Sequence, residues 1–172
     1  MKYGLMCMLV CLFSLPAIAD DDNWVYISGD VDSAAYLQNK EVVVDMDKKF
    51  VEAWIKFTLP AGGHALSRTR YDCANDKYLN LESHEYSADS TYDSGGKILG
   101  SEWLTVIPDS LGVPIMKTVC VVGVLQEVEN AKYIGNGDIP DDYFMKIKEV
   151  FGSYSTIGFM INASNMMNSE SL

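Results

Sequence analysis

The sequence predicts an α+β domain, a single antiparallel sheet of about six strands with a helix packed on one face. Three observations lead there. Residues 50–59 alternate strictly: Val51, Ala53, Ile55, Phe57 and Leu59 share one face, and Glu52, Trp54, Lys56 and Thr58 share the other. That is the pattern of a sheet covered on one side and wet on the other. Short runs rich in β-branched and aromatic residues are separated by turn formers such as Gly29-Asp30, Asp47-Lys48-Lys49 and Pro60-Ala61-Gly62-Gly63. After Pro108 the apolar spacing changes from two to that of a helix.

Taken in chain order, Trp24, Val25, Tyr26 and Ile27 make residues 23–28 a first strand. Residues 34–37 and 41–46 are short strand candidates on either side of the polar Gln38-Asn39-Lys40, and 50–59 follow. Residues 66–72 and 77–86 flank the turn-rich Cys73-Ala74-Asn75-Asp76 and read as a hairpin. In its second strand Leu79 and Leu81 point one way, and Asn80, Glu82 and His84 the other. Residues 85–93 are polar and read as a loop or an irregular strand end, Asp93-Ser94-Gly95-Gly96 as a turn, and 97–100 as a short returning strand. Asp109 or Ser110 would cap a helix over about 110–121, with Leu111, Ile115, Met116 and Val119 at helical spacing, Pro114 in the first turn and Gly123 as its stop. Residues 138–151 suggest a second helix, with Pro140 near its start, a stripe of Tyr143, Phe144, Ile147, Val150 and Phe151, and Gly152 closing it. Residues 154–161 read as a last strand, and 162–172 as a frayed polar tail.

The N-terminus points to export. Lys2 precedes an uncharged apolar stretch, and Ala17-Ile18-Ala19 is a small-x-small site, so cleavage is expected between Ala19 and Asp20. The chain then divides into a signal at 1–19, a domain at 20–121 and an extension at 122–172 with one helix and a polar tail. The 172 residues, less nineteen of signal, are one domain's worth. Cys7 and Cys11 leave with the signal; neither follows a small residue, so neither reads as a lipidation site. Cys73 and Cys120 remain, and an even pair in an oxidising compartment is expected to form a disulfide.

Composition excludes several functions. Thirteen Lys and Arg against twenty-four Asp and Glu give a net charge of −11, and loss of Lys2 makes it one unit more negative. Nucleic acid, which is held through clustered cations, is not an expected partner. With two His, no His-x-x-x-His spacing and no Gly-x-Ser-x-Gly elbow, no metal site, cofactor or catalytic set is expected. Asp45-Met46-Asp47 and Asn136-Gly137-Asp138 start like calcium loops but do not continue as such. Aromatics are the conspicuous residues: Trp24, Tyr26, Trp54, Tyr71, Tyr78, Tyr86 and Trp103 lie on or beside strands. Most are explained as sheet and core packing. Trp54 lies on the polar face of its strand, which makes Trp54, Glu52 and Lys56 the candidate binding face. The acidic net charge suggests a basic partner and binding weakened by salt.

The stretch from Trp24 to Cys120 resembles the surface-adhesin protein E family of exported bacterial proteins. The resemblance is carried by an ordered series: Trp24-Val25-Tyr26-Ile27, then Val51-Glu52-Ala53-Trp54-Ile55-Lys56-Phe57, then Arg70-Tyr71-Asp72-Cys73 and Lys77-Tyr78-Leu79. Ser94-Gly95-Gly96-Lys97-Ile98-Leu99, Trp103 and Ile107-Pro108-Asp109-Ser110 follow, before the helix that reaches Cys120. The resemblance implies an antiparallel sheet with a helix tied to it by a disulfide, and adhesion to a host extracellular protein. The namesake is lipid-anchored and its binding is linked to Lys- and Arg-containing stretches, whereas this chain is acidic, so no binding residue is carried over. The leading expectation is an exported, non-catalytic, protein-binding protein, in the periplasm or at the cell surface and outer membrane. A periplasmic accessory or envelope-assembly protein that binds another envelope protein is the alternative, and a small periplasmic hydrolase is the third reading. The apolar stripe at 143–151 must be covered, by the same domain or by a second copy in a homodimer.

Overall fold

The computed structural model describes residues 23–30 and 32–169; the signal expected at 1–19 and its expected cleavage site at Ala19–Asp20 lie outside them. Eight strands build one antiparallel sheet: β1 (Trp24–Gly29), β2 (Ala34–Gln38), β3 (Val43–Asp45), β4 (Phe50–Thr58), β5 (His64–Asp72), β6 (Lys77–Tyr86), β7 (Tyr92–Lys97) and β8 (Leu104–Thr105). The strand order is β1-β2-β4-β5-β6-β7. β3 extends the row of β2 along β4, and β8 extends the row of β7 along β6, so the sheet is six rows wide. Three helices follow: α1 (Gly112–Ile134), α2 (Asp141–Phe151) and α3 (Tyr154–Ser169). The fold is α+β, as the alternation and the change of period predict.

The alternation in β4 is realised directly. Val51, Ala53 and Ile55 are fully buried against Ile115, Met116, Val119 and Val124 of α1, while Leu59 lies past the strand end and is part-exposed. Cys73 and Cys120 form a disulfide with Cα atoms 5.9 Å apart, joining the end of β5 to the middle of α1. α2 and α3 pack on α1, and Ile147, Val150 and Phe151 enter the same core as β4. The apolar stripe of α2 is therefore covered within the chain. Two ion pairs, Lys49–Glu149 at 2.6 Å and Lys146–Asp47 at 2.7 Å, tie α2 to the β3–β4 turn.

Several local expectations are corrected. The helix expected at 110–121 runs on to Ile134 through position 121, and Gly123 is an interior residue rather than a stop. A Cβ there would come within 2.8 Å of the Phe151 ring and 3.2 Å of Val51, so the glycine serves close packing between α1, α2 and the sheet. The helix start carries no side-chain cap; the Ser110 hydroxyl donates to the Ile107 carbonyl instead. Residues 154–161 are helix, not strand. The face of α3 that meets α1 holds Ser155, Gly158 and Asn162, small or polar residues whose helical spacing carries no hydrophobic signal. The helix continues through Ser169, so most of the expected frayed tail is helical.

In the sheet, 93–96 is strand rather than turn. Gly95 has φ 141°, and a Cβ would collide with the backbone of Ser83 and His84, so glycine is what lets β7 approach β6. β7 correspondingly ends at Lys97, where a strand was expected to begin. The strand expected at 41–46 shortens to β3 behind a turn of 3₁₀ helix, Asn39–Glu41. A bulge in β6 separates residues expected on one face: Arg68 pairs with Glu82, but Thr69 pairs with Asn80, which leaves Leu81 as the extra residue. Asn80 accordingly faces the helices, where it accepts from the Thr69 hydroxyl, while Glu82 and His84 face away.

Candidate functional site

The sheet face turned away from the helices gathers chemistry that the sequence scatters. Cross-strand register sets it in rows. Tyr26, Tyr36, Lys56, Leu66 and His84 stand side by side on five strands, as do Trp54, Arg68, Glu82 and Lys97 on four. Thr58, His64, Tyr86 and Tyr92 form a third row. Both arginines and both histidines of the chain lie here, with two of its three tryptophans.

Ring contacts make the face continuous. Trp54 lies 6.1 Å from His84, His84 lies 6.0 Å from Tyr92, and Tyr92 meets Tyr86 edge-on at 5.7 Å. His64 stacks on Tyr86 at 4.7 Å and 10°. Toward the other edge Tyr26 meets Tyr36 at 5.7 Å, and the Lys56 ammonium sits 4.7 Å from the Trp24 ring centre and 5.2 Å from that of Tyr36. Between Trp24 and Trp54 the surface dips into a groove of about 530 Å³. Trp54 is partly buried and lines this groove, on the side of the sheet opposite α1; Lys56 is partly buried there too.

Glu52 behaves differently from the free strand neighbour expected. It is only 9% exposed, and both arginines converge on it. Arg70 donates to Oε1 at 2.7 Å through Nη2, and Arg68 to Oε2 at 3.0 Å, each with a second bond from Nε. The Arg70 guanidinium also covers the Phe50 ring at 3.8 Å. Burial opposes ionisation of Glu52, but the hydrogen bonds from Arg70 and Arg68 outweigh it and hold the carboxyl below its usual range. Glu52 thus orders the face and is not a free contact. Because its folded pKa is depressed, the stability it contributes is present above the unfolded value of about 4.3 and is lost as pH falls through the lower folded value. Glu52→Gln is expected to cost about 1–2 kcal/mol at neutral pH, since both arginines keep contact with water, and to remove that component of acid sensitivity. Urea unfolding of both proteins across the acid range checks it; parallel profiles would refute the assignment.

The charge of this face is not that of the chain. Lys56, Arg68, Arg70 and Lys97 stand on it against Glu41, Glu52 and Glu82, so the chain's acidic excess is absent here and the basic partner suggested by composition does not follow for this surface. Of the other aromatics noted in the sequence, Tyr71 is buried on the helix side with Tyr78 packed against it, and Trp103 lies in the loop before β8, 44% exposed. Among the described residues no three His, Cys, Asp or Glu side chains gather as metal ligands would, and no helix is long and apolar enough to cross a membrane. The contributions of Trp24, His64, His84, Arg68 and Arg70 escape a strand-by-strand reading, because only the register between strands brings them together. A scan against protein-family models and a search of curated proteins find no match to this chain.

Proposed function

We propose that this is an exported, non-catalytic binding protein, adhesin-like in kind, that engages a protein partner through the helix-free sheet face. One observation carries the reading: an aromatic surface with two half-sunk tryptophans and fixed cations lies open where the opposite face is closed by helices. Partly exposed Trp, Tyr and Arg in a preordered cluster are the residue types that dominate binding energy at protein interfaces. The ordered resemblance from Trp24 to Cys120 supports adhesion as the use, and the Cys73–Cys120 bond fits an oxidising compartment.

Trp54→Ala is expected to weaken capture of purified extracellular-matrix and plasma proteins by about 2 kcal/mol, on the order of thirtyfold, with the far-ultraviolet spectrum unchanged. Equal affinity of variant and parent would remove Trp54 from the interface. Protease treatment of intact cells tests the adhesin use. Loss of the protein supports it, whereas full protection overturns it in favour of an envelope-assembly role.

A further inference from the structure

We propose that the groove between Trp24 and Trp54 binds a carboxylated sugar unit, of the uronic or sialic acid type, carried on the partner. The proposal rests on the reading of this sheet face as the binding surface and names the chemistry it takes. The groove's volume of about 530 Å³ falls within the range of roughly 300–1,000 Å³ common to small-ligand sites. Trp24 stands on β1 and Trp54 on β4, with β2 between them, so the backbones that carry the two indoles are two strand spacings apart, about 10 Å, and both rings line the groove. A pyranose ring offers apolar C–H faces to such rings and a rim of hydroxyls to polar neighbours. The walls supply that rim: Glu41 accepts, and Gln38, Thr58 and His64 can donate or accept.

Lys56 selects an acidic sugar. It is the cation of the groove, and its ammonium is fixed between the faces of Trp24 and Tyr36 instead of on a carboxylate. Among the described residues it forms no ion pair, in a chain where carboxylates outnumber cations nearly two to one. A compact ammonium held by aromatic faces keeps N–H donors for an incoming carboxylate. The ligand's carboxylate is thereby placed at Lys56 and its hydroxyls toward Glu41. A peptide fits less well. The groove runs from β1 to β5 on the sheet face. β2, β4 and β5 are paired on both sides, and the free edge of β1 points outward in the sheet plane past Trp24, so the main-chain hydrogen bonds by which an added strand binds are not offered inside the groove.

The test titrates the mature protein with glucuronate, N-acetylneuraminate, glucose and a short Glu-rich peptide, reading intrinsic fluorescence, since two of the three tryptophans line the groove. Saturable change with at least one acidic sugar is expected, with glucose weaker by about tenfold, the factor of one charge-assisted hydrogen bond. Lys56→Gln should lose that preference and Lys56→Arg keep it; calorimetry on the parent alone remains decisive if a variant fails to fold. No saturation with either acidic sugar, equal response to glucose, or preference for the peptide each overturns the proposal. If the sugars fail while Trp54→Ala still weakens a protein partner, the binding face stands and only its sugar chemistry falls.

Discussion

Phe151→Ala is expected to lower the unfolding free energy by about 3–5 kcal/mol, the cost of deleting a fully buried aromatic ring. Phe151 is the largest fully buried side chain among the described residues, and it lies where α2, the Gly123 position of α1 and Val51 of β4 meet. Its neighbours Ile147 and Val150 are as deeply buried, so the cavity has little freedom to collapse. Met145→Ala, on the outer side of the same helix at 61% exposure, should cost no more than about 0.5 kcal/mol. Truncation after Gly137 removes all three core residues and should leave no cooperative transition. Urea unfolding of the three variants provides the measurement. A loss below about 1 kcal/mol for Phe151→Ala would show that α2 does not contribute to this core.

Removal of the disulfide is the second large effect. The bond closes a sequence separation of 47 residues, for which the chain-entropy treatment gives about 4 kcal/mol. For a domain of this size that corresponds to roughly 10 °C in Tm. Both cysteines are buried, at 3% and 0% exposure, so mild reductant should act slowly, and the Cys73→Ala/Cys120→Ala double variant is the cleaner probe. Peptide mapping of the unreduced protein should recover Cys73 and Cys120 as one linked pair. Two free thiols, or a double variant melting with the parent, would refute the assignment.

Local signals of the sequence were legible where one residue's environment decides its type. The apolar row Val51, Ala53, Ile55 declares a one-sided sheet by itself, and Cys73 and Cys120, the pair expected to remain if residues 1–19 are removed, do form the bond. Features set by a second segment were not legible. Gly95 reads as a turn until β6 lies against it, and Gly123 reads as a helix end until Phe151 fills the space beside it. α3 buries Ser155 and Asn162, which resemble surface residues until α1 is present. The site divides in the same way. Trp54 was visible from alternation within one strand, but Glu52 read as a free neighbour because its partners, Arg68 and Arg70, come from the next strand. The groove needs Trp24 and Trp54, thirty residues apart in sequence, brought together by β2.

The strand order has a kinetic consequence. β4, β5, β6 and β7 are neighbours in both sequence and space, joined by links of four or five residues, and β1 and β2 form a hairpin of their own. Loops this short close with little entropy loss, so most of the sheet can be assembled from local encounters. The helices come last in the chain and supply the long-range half of the core, with Cys120 arriving opposite a Cys73 already positioned by the β5–β6 turn. The pairing that forms the helix-free face therefore rests on nearby contacts, and the covalent bond, which ties α1 to the sheet across a long separation, is expected to slow unfolding more than it speeds folding.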